Sequence, residues 1–146
     1  VWIKRNLTPK QIYAANALGL PGVSFIDEQR RIYPDGSLLA HAIGFTDVDH
    51  HGLAGLEKAY DKQLLAHNEP LQTTLDVRVQ YILRKELQKI VTDFTAVGGA
   101  GLVMNAKTGE ILGMVSLPDY DPHHPGDGPA EDRFNRLTAG VYEMGS

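Results

Sequence analysis

The fold of this chain is decided by the stretch DVRVQYILRKELQKIV, residues 76–91. Its apolar residues recur at helical spacing, which predicts one long helix with a single buried face. Asp76 is the expected N-cap, because its carboxylate can accept hydrogen bonds from the free N–H groups of a first helical turn. The apolar positions expected on the buried face are Val79, Leu83, Leu87 and Ile90.

Two strands are predicted to cover that face. Gly98-Gly99 breaks the helical pattern, and the chain then alternates over residues 101–105 and 110–115. The turn between them holds Lys107-Thr108-Gly109, with a glycine that supplies a positive φ. An antiparallel hairpin against a helix gives the α+β class. Beyond it we expect a loop over 118–128 and a short helix over 131–138.

The first half of the chain predicts smaller elements. Thr8-Pro9 is a strong helix start, because threonine caps and proline is tolerated at the first helical position, and Gly19 is expected to end that helix. Short strand pieces are predicted at Val23, Phe25 and Ile32-Tyr33, with a turn at Pro34-Asp35-Gly36. An amphipathic helix is predicted over 53–65.

The periodic pattern stops at residues 66–70, where we place a domain boundary. The expected units are therefore residues 1–66 and residues 67–146, meeting with few contacts between them. Residues 71–75, LQTTL, alternate as a strand would. Sequence reading thus predicts a small first module, followed by a domain that opens with the long helix and the hairpin.

Composition excludes several classes of function. The chain has 146 residues, 42% of them hydrophobic and 22% charged, which is ordinary for a globular protein. Its net charge of −4 shows no excess of basic residues of the kind that binds nucleic acid. It has no cysteine, hence neither disulfides nor a thiolate metal site. No apolar run is long enough to span a membrane, and the start, VWIKR, indicates an excerpt of a longer protein. No cofactor is expected.

Several blocks occur in an order that resembles class B penicillin-binding proteins, most closely the septal, cell-division type. The blocks are RRIYPDG at 30–36, AHAIGFTDVD at 40–49, GLAGLEKAYD at 52–61, LDVRVQ at 75–80, KTGEILGMVSLP at 107–118 and the tail from Asn135-Arg136 to Ser146. The resemblance implies part of the N-terminal pedestal module of such a protein, followed by the start of its transpeptidase domain.

The tail, Val141-Tyr142-Glu143-Met144-Gly145-Ser146, resembles the segment that carries the active-site serine of that family. There a Tyr-Glu-Pro-Gly segment precedes the motif S-x-x-K. A lysine one helical turn after the serine shares its helix face and can assist its deprotonation. Met144 departs from the usual proline. The lysine, the S-x-N element and the later K-T-G strand lie outside this chain, which we therefore expect to be inactive by itself.

The other candidate sites are interpreted as structural rather than catalytic or metal-binding. The K-T-G at 107–109 precedes Ser146 and falls in a turn, so we interpret it as structural. The adjacent pairs His50-His51 and His123-His124 do not predict a metal site, because neighbouring side chains point apart on regular elements. By resemblance, Arg31 and Glu57 form an ion pair inside the first module, or else they are two solvated charges. A buried bidentate pair would explain arginine at position 31.

Three functions remain open at this point. The resemblance implies a peptidoglycan D,D-transpeptidase on the periplasmic face of the bacterial inner membrane, anchored by an N-terminal helix, acting on stem peptides and binding β-lactams. The second is a pedestal that docks membrane proteins of the division machinery. The third is an unrelated α+β binding protein. The family usually has a long excursion where residues 66–70 stand here. Either this connection is naturally short or residues are omitted there, and we expect the omission.

Overall fold

The structure, a computed structural model, describes residues 1–66 and 69–141. Contacts between Cα atoms divide the chain into one unit over Val1–Arg31 and a second from Ile32 onward. The elements, in order, are α1 Pro9–Ala17, α2 Ala40–Ile43, α3 Gly55–Ala59, α4 Asp61–Ala66, α5 Val77–Asp93, β1 Gly99–Met104 and β2 Ile111–Leu117, with 3₁₀ turns at Gly36–Leu39 and Ala130–Arg133. The mixture of helices with an antiparallel hairpin confirms the α+β class.

The first unit is built around α1. Thr8 accepts a hydrogen bond from the N–H of Gln11, while the Gln11 side chain returns to the N–H of Thr8. This reciprocal pair is a capping box, and proline follows the cap as predicted. Arg5 donates to Glu28 over 2.8 Å. Within residues 1–31 the structure has no strand, so the strand pieces predicted at Val23 and Phe25 were wrong: no neighbouring backbone pairs with them.

The second unit is organised by α5 and the hairpin. Asp76 caps α5 as predicted, accepting from the N–H groups of Arg78 and Val79. β1 and β2 pair antiparallel, with Gly99 opposite Leu117, and the register shifts at Val103/Met104. The predicted hairpin against the helix is therefore confirmed.

Glycines let the helix approach the hairpin closely. A Cβ at Gly99 would lie 3.0 Å from Val91 Cγ2, and one at Gly101 would lie 2.9 Å from Leu83 Cδ1. Ile90, expected on the buried face, is instead 53% exposed. Val91 faces the hairpin in its place, because the helical period over this length brings position 91 rather than 90 over the sheet.

Gln80 is the polar centre of the second unit, with a relative exposure of 1%. Its Nε2 donates to Leu38 O over 2.8 Å and to Met114 O over 2.7 Å. Its Oε1 accepts from the N–H of Met114 over 2.7 Å. One side chain thus joins α5, β2 and the turn that precedes α2.

The segment around α2 packs between the hairpin and α3. The turn predicted at residues 34–36 is present, with the N–H of Gly36 donating to Tyr33 O. The predicted helix over 53–65 is broken into α3 and α4 at Tyr60, whose φ of −110° lies outside the helical range. Asp61, which begins α4, accepts from the N–H of Gly52 over 2.7 Å. The break between α3 and α4 therefore lies next to a hydrogen bond that joins the start of α4 to the residues before α3.

The expectation of few contacts across residues 66–70 was wrong. The buried apolar residues of the described chain come from both sides of this point: Ala40, Ala42, Val115, Leu117 and Tyr120. The sequence pattern breaks there because residues 67–69 are polar, whereas α2, which precedes the break, packs against β2, which follows it. The assignment of 1–66 and 67–146 to two family modules stays a prediction.

Two further elements differ from expectation. Residues 71–75 form no strand. Thr74 Oγ1 donates to Ile111 O, and the N–H of Asp76 donates to Leu112 O, so the segment is tied to β2 without a ladder. The helix predicted over 131–138 is only the 3₁₀ turn Ala130–Arg133 followed by a second turn. Across the ranges described, no helix has the length and apolar character needed to cross a membrane.

Candidate functional site

Ser146 lies outside the described residues, together with residues 142–145. The structure does describe residues 134–141, which lead to them. Residues 134–141 are called the approach segment below. Its start is held by Ser116, which lies on β2 and is 1% exposed. Its Oγ accepts from the N–H of Arg136 over 3.1 Å and donates to Phe134 O over 3.3 Å. The chain leading toward the candidate nucleophile is therefore anchored to the hairpin.

Asn135 forms the second anchor. Its Oδ1 accepts from the N–H groups of Leu137 and Thr138, at 3.0 and 3.3 Å, in an Asx turn. Its Nδ2 donates to His41 O over 3.1 Å. Sequence reasoning passed over Asn135 and Ser116 as individual residues. An asparagine by itself favours an Asx turn, so the sequence contained a signal for the turn. No neighbouring residue predicts the hydrogen bond from Asn135 to α2.

His41, in α2, lies next to the approach segment, because its carbonyl oxygen accepts a hydrogen bond from Asn135. Its Nε2 lies 3.1 Å from Pro118 O, and because a carbonyl oxygen only accepts, Nε2 carries the proton. The Tyr120 ring meets the His41 ring edge-on, with centroids 5.1 Å apart, and the Tyr120 hydroxyl donates to Ala40 O over 2.9 Å. Burial raises the pKa of Tyr120 to about 12. Burial also lowers the pKa of His41 from 6.5, opposed by the bond to Pro118.

Stability should fall on mild acidification because of His41. The folded state holds the imidazole neutral, whereas the unfolded chain binds a proton below about pH 6.5. The contribution of His41 is therefore complete above that pH and is lost as the pH falls toward the lowered folded pKa. We expect urea midpoints measured from about pH 7.5 to 5.5 to decline less steeply in His41→Gln. Gln88→Ala, at an exposed position of α5 without a titrating group, is the control and should keep the wild-type slope.

A cleft of about 620 Å³ borders the same region. Aliphatic side chains from α3 and residues 71–75 form one part of its lining, and Arg133, Asn135 and Thr138 form another. His41 and Tyr120 also reach it. The cleft therefore adjoins the approach to Ser146.

The two histidines at 123–124 converge, contrary to the expectation that they point apart. Nδ1 of His123 and Nδ1 of His124 lie 3.0 and 3.2 Å from the two oxygens of Asp121. The reason is local: residues 121–124 form a turn, closed by the N–H of His124 on Asp121 O, rather than a regular element. The backbone N–H of His123, with the His124 side chain, lowers the pKa of Asp121 to about 2. Among residues 1–66 and 69–141, no group of three or more acidic, histidine or cysteine side chains is placed to hold a metal ion.

The K-T-G at 107–109 is a hairpin turn, as predicted. Asn105 Oδ1 accepts from the N–H groups of Lys107 and Thr108, and the N–H of Gly109 donates to Asn105 O. Gly109 has a φ of 78°. Lys107 and Thr108 are both exposed in this turn.

The pairing of Arg31 with Glu57 stays a prediction. The Glu57 side chain belongs to α3 and is 4% exposed. Arg31 is exposed, so the guanidinium left without a partner in Glu57→Ala would be solvated by water. If the two groups pair, the substitution should therefore lower the free energy of unfolding by about 1–2 kcal/mol, less than for a fully buried pair. Urea denaturation would measure this, with exposed Glu86→Ala as the control. A loss as small as that of the control would contradict the pairing.

Comparison with known proteins identifies the family. Residues 1–93 match the penicillin-binding protein dimerisation domain, and residues 99–146 match the penicillin-binding protein transpeptidase domain. The chain belongs to the penicillin-binding protein family. The third alternative, an unrelated α+β binding protein, was therefore wrong, and the predicted family is confirmed.

Its relatives are transpeptidases by name. The probable peptidoglycan D,D-transpeptidase FtsI of Caulobacter vibrioides is 49% identical over 145 residues, covering 97% of this chain and 25% of that protein. The probable peptidoglycan D,D-transpeptidase PenA of Neisseria gonorrhoeae is 35% identical over 174 residues, covering 100% of this chain and 30% of that protein. The chain thus spans less than a third of the length of these relatives.

A solved structure shares the fold. Penicillin-binding protein 3 of Mycobacterium tuberculosis, in its apo form, superposes with a TM-score of 0.57 at 32% identity, over 68% of this chain and 26% of that one.

The connection at residues 66–70 can be compared as well. The Caulobacter alignment covers 97% of this chain in 145 positions, which leaves no room for a long excursion in that relative. The Neisseria alignment takes 174 positions for the same chain, so that relative carries extra residues. A naturally short connection is therefore favoured over the omission that we expected from sequence.

Proposed function

We propose that these residues belong to a peptidoglycan D,D-transpeptidase in which Ser146 is the acylated nucleophile. The observation that carries the proposal is the match of residues 99–146 to the transpeptidase domain, supported by relatives named as D,D-transpeptidases. The sequence Tyr142-Glu143-Met144-Gly145-Ser146 supplies the serine at the end of that match.

The proposed reaction is acyl transfer. Ser146 Oγ attacks the penultimate D-Ala carbonyl of a stem peptide, forming an ester as the bond to the terminal D-Ala breaks. The D-Ala amine leaves with the proton that the serine gives up. An amine of a neighbouring stem then attacks the ester, forms the cross-link and restores the serine hydroxyl. A β-lactam acylates the same oxygen by ring opening.

Residues 1–146 supply the support for this chemistry rather than its base. A serine needs an adjacent group to accept its proton and an oxyanion hole to stabilise the intermediate. The lysine that the motif S-x-x-K requires would follow Ser146 by three residues, beyond this sequence. The whole protein is proposed to act in the bacterial envelope, at the periplasmic face of the inner membrane, on peptidoglycan and in contact with division proteins.

Labelling with a fluorescent penicillin tests the proposal. We expect the full-length protein to be labelled, with mass spectrometry placing the adduct on Ser146, and the 146-residue chain to remain unlabelled. Ser146→Ala should abolish labelling of the full-length protein. Ser24→Ala, at an exposed serine, should leave it unchanged. Labelling elsewhere in the full-length protein would refute the role of Ser146, and labelling of the short chain would refute the need for a later base.

A second role, as a scaffold for protein assembly, is favoured by the match of residues 1–93 to the dimerisation domain. It would not require the nucleophile. We therefore expect full-length Ser146→Ala to retain the wild-type oligomeric state in sedimentation while losing the penicillin label. A change of oligomeric state in that variant would argue against an independent scaffold.

A further inference from the structure

The segment that leads to Ser146 is held from two sides by side chains of the second unit. β2 holds it through Ser116, whose hydroxyl bonds the backbone on either side of Asn135. α2 holds it through His41 O, which accepts from Asn135 Nδ2 over 3.1 Å. Asn135 is the residue at which these two supports meet.

The Asn135 side chain performs two separable tasks. Its oxygen closes the turn onto the N–H groups of Leu137 and Thr138. Its nitrogen reaches across to α2. The backbone adds one more bond, from the N–H of Ala139 to Asn135 O. The direction in which the chain leaves this turn is therefore set by Asn135, and that chain continues to Ser146.

α2 is itself firmly held, so it can serve as a reference point. His41 Nε2–H donates to Pro118 O, and the Tyr120 hydroxyl donates to Ala40 O. Ala40, His41 and Ala42 are all buried. These bonds tie α2 to the residues that directly follow β2. The bond from Asn135 to α2 therefore joins residues 134–141 to the buried part of the second unit.

We propose that Asn135 is a positioning residue for acylation, and that its hydrogen bond to His41 O holds the start of residues 134–141, from which the chain continues in sequence to Ser146. This inference rests on the function proposed above. Asn135 itself is not assigned contact with substrate. Misplacing a reacting atom by about 1 Å can cost on the order of a hundredfold in rate, so a loosened approach segment should slow the chemical step.

Two substitutions separate the tasks of Asn135 in the full-length protein. Asn135→Asp keeps an oxygen for the turn but loses the donor to His41 O and sets a carboxylate against that carbonyl. Asn135→Ala loses both. We expect both variants to show a first-order acylation constant reduced on the order of tenfold to a hundredfold with a fluorescent penicillin, while its dissociation constant stays within about threefold.

A matched control separates positioning from stability. Asp76 caps α5 by accepting from the N–H groups of Arg78 and Val79 over 2.8 and 3.4 Å, bonds that involve neither residues 118–120 nor residues 134–138. Asp76→Ala should lower the melting temperature without changing the acylation constant, measured below the transition of every variant.

The outcomes decide the inference as follows. Normal acylation in Asn135→Asp overturns it, even if Asn135→Ala is slow, because the tie to His41 is then dispensable. A loss of acylation in Asp76→Ala in proportion to its fall in melting temperature also overturns it. If the wild-type protein is not labelled, or Ser146→Ala still is, the proposed function fails instead.

Discussion

Replacing Gln80 with leucine should lower the free energy of unfolding of this chain by about 4 kcal/mol. The two side chains are similar in size, so the change removes hydrogen bonds more than volume. Leu38 O, Met114 O and the N–H of Met114 would each lose the amide as a partner. An unsatisfied buried polar group costs roughly 1–3 kcal/mol, and burying a leucine offsets part of the sum.

Urea denaturation would measure the loss, and α5 offers its own control. Gln88 lies on the same helix but is exposed, so Gln88→Leu should stay within about 0.5 kcal/mol of the wild type. If Gln80→Leu is as stable as Gln88→Leu, the amide does not hold β2 and the turn before α2 together.

Replacing Gly44 with alanine should have an effect at least as large. Gly44 follows α2 with a φ of 84°, and a Cβ there would lie 1.9 Å from the carbonyl oxygen of Ala54. The obstacle is backbone, which cannot move as a flexible side chain would. We expect a loss of about 4 kcal/mol or more, or a chain that fails to fold at room temperature.

Gly109 supplies the comparison for this steric cost. Its φ is 78°, close to that of Gly44, but a Cβ there would meet nothing within 4 Å. Gly109→Ala should therefore show only the conformational penalty, about 1–2 kcal/mol. Equal losses at the two positions would mean that neither the close approach of residues 44 and 54 nor the ψ of −153° at Gly44 adds to the cost of a positive φ.

The elements predicted correctly from sequence depend on neighbouring residues alone. The caps at Thr8 and Asp76, the turn at Gly109 and the face of α5 as far as Leu87 each follow from a few positions along the chain. α2 was missed because its support is distant: the Tyr120 hydroxyl and the Asn135 amide both bond its carbonyl oxygens. A helix of four residues has no period by which sequence could reveal it.

The residues of the candidate site also differ in whether neighbouring sequence could predict them. Ser146 could be identified only by resemblance, since a serine after glycine is otherwise unremarkable. Gln80 had a signal that was overlooked, because it shares a helix face with Leu83 and Leu87 and a polar residue there needs a buried partner. Ser116 had none, because its partners, Phe134 and Arg136, are brought to it by the fold.

The packing of α5 against the hairpin has a consequence for the order in which the chain is made. A ribosome delivers α5 before β1 and β2, and the helix face with Leu83 and Leu87 has no cover until the hairpin has emerged. A helix of this length is marginal by itself in water. Nascent α5 must therefore be shielded or remain partly unwound until β2 has left the ribosome and can pack against it. A translational pause that comes before β2 has emerged would prolong the exposure of this helix face to proteases, and a pause after its emergence would not.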